Sequence, residues 1–550
     1  VIDRALAWFA ARPPAPDRNA ANTGAPYFVW IHLYDPHAPY QAPAAFRGRT
    51  ATPYDDEVAY AGSEVGRLLD RLRTSGALDR TLIVVAGDHG EGLGEHGERT
   101  HGMLLYDSTL RVPLVIAASG IAARTIETPV GLSEIAPTVL HAAGVMPPPE
   151  MMGRDLIRLR PDAVNDRTGD VGGPDLYSET EYPRVAGWSP LLALTDGRWK
   201  TIRAGAATEV YDLQDDPRED RDVVSTHQAI ASAMSARAGA IHGTAAAQPA
   251  ISADAQERLR SLGYVASSTQ PAPGDAAISP RAVIGAWNAF EEALTALNAH
   301  QPAAAGALKA LAAANPGASV FQTTYARALV DAGRPQDALE IYRTAARQWP
   351  ADAALMHDLA VAARNAARSA PAPTAAALRH EAERADQAAI AVDPRSATAL
   401  NGLGLLAIDA GRAADAARSF ERAAALDPAN ASYWANLGNA RRASGDSAGA
   451  EQAYRRALDT DPRHVDAANG LGVLLVEAQR PADAVSWFER AVAASPDFVE
   501  ARLNLGIALE QSGDRSRAAD AFRKVLAAPP QYARERDAAA KLLSALGQHR

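Results

Sequence analysis

The sequence predicts two structural classes in one chain, an α/β domain over residues 1–265 and an all-α repeat solenoid over residues 282–548. Three observations predict this. Prolines at 316, 350, 394, 428, 462, 496 and 530 follow one another at 34, 44, 34, 34, 34 and 34 residues, and a fixed period of that length marks stacked supersecondary units. Before residue 265, short β-branched and aromatic runs flank a helical pattern with one apolar face. Residues 266–281, rich in Ala, Ser, Pro and Gly, have the composition of a linker.

Composition narrows the function classes. With 550 residues, 47% apolar and 22% charged, the chain is globular and long enough for several cores. Its 55 basic and 65 acidic residues give a net charge of -10, which argues against a nucleic-acid or anionic-membrane binder, since phosphate surfaces require concentrated Lys and Arg. The absence of cysteine removes disulfides, thiolate metal sites and a cysteine nucleophile together. No apolar run reaches eighteen residues, so no transmembrane segment is expected. The chain opens on Val1 with a helix over Ile2 to Ala11 and no signal-peptide pattern, which suggests a processed chain or a fragment.

The elements follow in order. Tyr27 to Tyr34, Thr81 to Ala86 and Val112 to Ala117 read as strands. Tyr54, Val58, Ala61, Val65, Leu68, Leu69 and Leu72 mark a helix between the first two, so those strands are expected to pair in parallel through a right-handed crossover. Ser133 is placed to cap a further helix that Gly144 ends. Residues 145–175 read as a long surface loop. Leu191 to Arg203 and Glu209 to Leu213 suggest a small antiparallel subdomain turning at Asp196-Gly197.

In the second half, each proline-bounded unit repeats a small residue pair and an aromatic. Leu403-Gly404 with Ala416 and Phe420, Leu437-Gly438 with Ala450 and Tyr454, and Leu471-Gly472 with Ala484 and Phe488 share one spacing. Small residues let two helices approach while the aromatic fills the space beside them. Gly411, Gly445 and Gly513 mark the turns within units. The ten extra residues before Pro394 are expected to lengthen one turn around Ser369 to Ala377. These residues resemble the tetratricopeptide repeat, with about seven units. The resemblance implies a concave groove that takes a protein or peptide partner.

Candidate chemistry gathers at two strand ends. The first strand runs into Asp35-Pro36-His37, the second into Gly87-Asp88-His89-Gly90-Glu91, with Glu95, His96 and His101 beyond; His32 lies in the first strand. Ligands collect beyond the carboxyl ends of strands in open sheets. Asp88 and His89 offer a hard oxygen beside an imidazole nitrogen, half of a site for a divalent ion that needs at least three donors.

The phrase from Gly87 to Gly102, with Leu105-Tyr-Asp107 and Leu110 to Ile116, resembles the sulfatases of the alkaline phosphatase superfamily. Tyr34 to Tyr40, Leu132 to Leu140, Asp196 to Lys200, Glu209 to Pro217 and Leu259 to Val265 agree in the same order. The resemblance implies metal-dependent hydrolysis of sulfate esters. It makes Asp88 and His89 metal ligands for Ca, or alternatively Mn or Zn. It makes His37 the group that protonates the leaving alcohol, and His101 the cation against a non-bridging oxygen. Charge on the outer oxygens and a proton for the leaving oxygen are what such a transfer requires. Phosphodiester or phosphonate hydrolysis, phosphoryl transfer, and a non-catalytic repeat scaffold remain alternatives. Lys200 reads as structural. The family is often exported, which favours a periplasmic or envelope location.

One departure from the family weighs heavily. Its nucleophile is a formylglycine made from Cys or Ser two residues before Pro and four before Arg, and no such motif occurs here. Thr109 and Thr138 do not follow a strand end in the order a threonine nucleophile requires. The reading is therefore of the C-terminal part of a sulfatase domain, inactive by itself, fused to tetratricopeptide repeats.

Overall fold

A computed structural model describes residues 1–11, 26–151, 153–159, 175–241 and 278–548. The stretch 259–277, with the last expected sulfatase-like segment and most of the linker, lies outside the described residues, as does 160–174 of the expected loop. The chain divides into two compact units, one centred on Val1–Pro183 and Ser189–Thr244 and ending at Asn288, the other centred on Ala289–Arg550.

The first unit contains α1 (Ile2–Ala10), α2 (Pro53–Thr74), β1 (Ile83–Ala86), α3 (Asp107–Leu110), β2 (Leu114–Ala117), α4 (Ile135–Ala142), β3 (Leu176–Thr180), β4 (Leu191–Thr195), β5 (Trp199–Ala204), β6 (Ala207–Asp212) and α5 (Gln228–Ala240). Thr52 caps α2 by accepting from the Asp55 amide, and Pro53 opens its first turn where a missing N–H costs nothing. Acidic Asp55 and Asp56 at its start and basic Arg71 and Arg73 at its end both suit the helix dipole.

Several expectations are corrected here. Tyr27 to Tyr34 forms no strand among the described residues, because a ladder requires a hydrogen-bonded neighbour and none is present among them. Its rings are left exposed, Phe28 by 75% and Trp30 by 80%. The parallel pairing is not met either. Every described ladder is antiparallel, β1 with β2 in the register Ile83↔Ala117 and β3-β4-β5-β6 as a four-stranded sheet. The apolar stripe of α2 buries only Leu72, while Asp56 and Glu57 of the same helix are buried. Ser133 does not cap α4; the helical segment begins at Gly131, whose amide donates to the Glu134 carboxylate. The expected subdomain is present, with Gly197 at φ +96° in the β4–β5 turn, and β3 joins it as a strand the sequence pattern had not shown.

The second part is a helical array: α6 (Pro280–Asn298), α7 (Ala304–Ala314), α8 (Ser319–Asp331), α9 (Pro335–Gln348), α10 (Ala353–Ser369), α11 (Ala372–Val392), α12 (Ala397–Asp409), α13 (Ala413–Leu426), α14 (Ala431–Ala443), α15 (Ser447–Thr460), α16 (Val465–Glu477), α17 (Pro481–Ala494), α18 (Val499–Gln511), α19 (Arg515–Leu526) and α20 (Ala533–Gln548). In chain order they run as seven successive pairs and a closing helix. Pro280 and Arg281, expected in the linker, already belong to α6. The ten-residue excess does not lengthen a turn. It is absorbed by α10 and α11, 17 and 21 residues long against 13 and 14 in the next pair, because its alanines favour helix.

The small-residue positions explain the pairing. A Cβ on Gly404, Gly438 or Gly506 would lie 2.5 Å from the ring of Phe420, Tyr454 or Phe522, so glycine is what lets each ring seat against the partner helix. First helices of successive pairs touch, α10 with α12, α14 with α16 and α16 with α18, whereas among the described residues second helices make no comparable contact. The array therefore curves with its first helices on the inner side.

Candidate active site

The four residues singled out by sequence lie at the end of β1 and on two loops. After Gly87 the chain folds back on itself. The Gly92 amide donates to Thr100 O at 2.7 Å and the Gly94 amide to Glu98 O at 2.8 Å, which sets residue 91 across from residue 101. A Cβ at Gly92 would stand 2.6 Å from that Thr100 oxygen, so the fold-back requires glycine. His101 thereby lies with Nδ1 3.3 Å from Glu91 Oε1, and its ring stacks on His89 at 3.9 Å between centroids.

His37 joins them from the other loop, its ring 5.7 Å from that of His101 and stacked on Tyr34 at 4.4 Å. Buried Glu57 on α2 holds this loop. Its carboxylate accepts from the His37 amide at 2.9 Å and also from the Gln41 amide. Tyr40 lies close enough to Glu91 that burial first, and then this carboxylate, push its phenol well above the ordinary value.

Hydrogen-bond chemistry assigns the tautomers. A carbonyl or carboxylate oxygen only accepts, so Nδ1 carries the proton in His37, which donates to Ala38 O at 2.6 Å, and in His89, which donates to Gly90 O at 2.9 Å. Glu91 imposes the same choice on His101. In each neutral ring Nε2 is then the nitrogen with the lone pair, able to take a proton or bind a cation.

Asp88 Oδ2 lies 4.0 Å from His89 Nε2, a spacing compatible with both reaching one divalent ion. The pair fits as half of a site only. Among the described residues no three His, Asp or Glu side chains converge to hold an ion.

The other candidates are structural. Lys200 is buried between Asp107 at 2.7 Å and Glu219 at 2.6 Å, as expected of a structural residue. His96 stacks on Tyr106 at 3.6 Å and bonds Arg218 O, and burial holds its pKa below the ordinary value. His32 is exposed, apart from the ring cluster. Thr109 and Thr138 are buried, with hydroxyls donating to Tyr106 O and Glu134 O, so neither is presented as a nucleophile.

Comparison with known proteins agrees with this division. The sulfatase family pattern matches residues 3–145, that of the N-sulphoglucosamine sulphohydrolase C-terminal region matches residues 94–240, and tetratricopeptide-repeat patterns match 379–431, 435–498 and 475–546. The chain joins a sulfatase-family segment to a tetratricopeptide-repeat array. The sulfatase segment is 34% identical over 174 residues to choline-sulfatase of Rhizobium meliloti (strain 1021), covering 31% of this chain and 32% of that protein. It is 32% identical over 162 residues to N-acetylglucosamine-6-O-sulfatase of Bacteroides thetaiotaomicron, covering 28% of each. The chain thus spans about a third of the length of the curated relatives it matches. Among solved structures, a tetratricopeptide repeat protein from Parabacteroides merdae aligns over 48% of this chain and 99% of its own, with 16% identity and a TM-score of 0.38.

Sequence reasoning missed Glu57, Tyr34 and Tyr40 as site residues, and gave Glu91 no role although it placed it at the second strand end. Glu57 carried a signal: it is a carboxylate three residues from Tyr54 and four from Ala61, within the apolar stripe of α2.

Proposed function

We propose that the sulfatase segment supplies the leaving-group and oxyanion side of a sulfate-ester hydrolysis site, and that the repeats hold a protein or peptide partner. The convergence of His37, His89 and His101 from separate loops carries this reading. His37, with Nδ1–H held by Ala38 O, presents Nε2, which would have to carry a second proton, as an imidazolium, to protonate a leaving alkoxide. His101, backed by the Glu91 carboxylate, is suited to carry positive charge against an outer oxygen of the sulfuryl group. Asp88 and His89 would hold a divalent ion together with donors from outside these 550 residues, and the ion would supply Lewis-acid stabilisation to that group. The formylglycine nucleophile, too, has to come from outside them, so this chain by itself is inactive.

Titrating inorganic sulfate into the chain while following its imidazole NMR signals tests the assignment. His37 and His101 are expected to shift together with one saturation curve, and that curve is expected to weaken in Glu91→Gln. Saturating sulfate that leaves both rings unmoved, or moves only surface histidines such as His32, argues against the site.

A further inference from the structure

By sequence α6 opens the repeat array, yet the first half of that helix, residues 280–288, belongs to the sulfatase unit. Arg281, Ile284 and Asn288 stand three and four residues apart, with Trp287 beside the last, so all four share one helix face. Ile284 and Trp287 are 8% and 1% exposed. What this face meets is the fold-back that carries Glu91 and His101.

Asn288 Nδ2 donates to Gly97 O at 2.7 Å, at the tip of the fold-back. Ile284 lies against the same residue: a Cβ on Gly97, which has φ +83°, would stand 3.1 Å from its Cγ2. Trp287 meets Tyr182 edge to face with 5.3 Å between centroids. The Tyr182 ring in turn lies 3.0 Å from where a Cβ on Gly102 would be, and Gly102 directly follows His101. Thr180, at the end of β3, donates to Gly102 O at 2.6 Å from the same side. Arg281 donates to Glu209 Oε2 at 2.6 Å, and that oxygen also accepts from Tyr106, whose ring stacks on His96. The helix thus reaches the stretch 96–102 at three points, once through Glu209 and Tyr106, once directly at Gly97, and once through Tyr182.

We infer that Asn288, on the helix that opens the repeat array, is a positioning residue for His101. With Ile284 and Trp287 it fixes the segment 97–102, so that the His101 ring stays against Glu91 and stacked on His89. This rests on the reading of His101 as the cation beside an outer oxygen of the sulfuryl group. The bonds from Gly92 to Thr100 O and from Gly94 to Glu98 O tie the two arms of the fold-back to each other, but they do not set where the two arms lie together. Contacts at the tip and just beyond His101 do set it, and a reacting group keeps its geometry only where such a second set of contacts holds it. Covering apolar surface would need Ile284 and Trp287 alone. Asn288 goes further: its Oδ1 is buried and accepts no hydrogen bond among the described residues, an orphan that a leucine of similar size would not create. The amide is therefore unfavourable at one end, and the Gly97 bond is what its other end supplies.

Asn288→Leu in the full chain, followed through its imidazole NMR signals during a titration with inorganic sulfate, tests the role. Before sulfate is added, the ring contacts of His101 with His89 are expected to weaken while those of His37 with Tyr34 persist. Sulfate affinity is expected to fall about fivefold, the scale of one lost hydrogen bond, with the urea midpoint of the same signals unchanged or raised. Asn288→Leu added to Glu91→Gln is expected to cost little more, because two changes that act through one ring do not add. Unchanged affinity in Asn288→Leu, with or without altered ring contacts, overturns the positioning role and leaves the sulfate site standing. The same loss repeated in full on the Glu91→Gln background overturns it too, since Asn288 would then act by another route. A loss that comes with a lowered urea midpoint makes Asn288 a purely structural residue. A wild-type chain in which sulfate moves neither His37 nor His101 overturns the site reading itself, and the positioning role with it.

Discussion

Two adjacent carboxylates on α2 show how single residues place the site. Glu57 fixes the loop that carries His37, and Asp56 fixes the segment after it, accepting from the Gly48 amide at 2.6 Å, the Thr50 amide and hydroxyl at 2.9 Å and the Arg49 amide at 3.0 Å. Burial alone would raise the Asp56 carboxyl, but these bonds outweigh it and hold it below its ordinary value. A carboxylate with a depressed folded pKa adds stability that is complete above the unfolded pKa and is lost as pH falls through the folded one. Amide exchange over residues 46–57 is therefore expected to quicken, relative to its own neutral-pH protection, as pH drops below the ordinary carboxylate range. Asp56→Asn is expected to be less protected at neutral pH and flatter with pH; a wild-type profile in that variant would show that Asp56 is not the titrating group. The sequence made His37, Asp88, His89 and His101 visible because their types are those of the chemistry. It hid Glu57, and the part Glu91 plays, because a carboxylate serving as a hydrogen-bond anchor looks, in sequence, like any surface acid.

Elements were legible where their stabilising contacts are local. The repeat helices, α2 and the β4–β5–β6 meander all follow from periodicity and turn chemistry that neighbours in sequence decide. The segment Tyr27 to Tyr34 has the composition of a strand yet forms none among the described residues, since strand identity belongs to a pair. The lengthened pair was misread for another reason: prolines suggested a turn, but Pro371 and Pro373 sit at the start of α11, where proline is tolerated. The turns within pairs give a direct test of local strain. Gly333, Gly411, Gly445 and Gly513 adopt φ of +72°, +72°, +85° and +91°, and Gln479 holds the equivalent position at +60°. Gln479→Gly relieves the side-chain clash of a left-handed residue but adds freedom to the unfolded chain, so a net gain of about 0.5–1 kcal/mol is expected. A urea titration of the array reads this directly, and a loss of stability in Gln479→Gly would mean that the glutamine side chain contributes contacts of its own.

At the scale of the whole molecule, the residues that bind and those that react are unevenly distributed. The 550 residues contain no cysteine and no Ser two residues before Pro and four before Arg, and the described residues offer a cation the two donors Asp88 and His89 without a third. Positioning without a nucleophile gives little rate, because removing a nucleophile alone costs about a million-fold. Against p-nitrophenyl sulfate, this chain with Ca or Mn added is therefore expected to stay at the rate of buffer. His37→Ala and Asp88→Asn should leave that background unchanged. Turnover above buffer that disappears in His37→Ala would place a working nucleophile inside these residues and overturn the proposed inactivity. Turnover that survives both substitutions would instead come from a site other than the one the three histidines build, and would separate the family resemblance from the chemistry assigned to it.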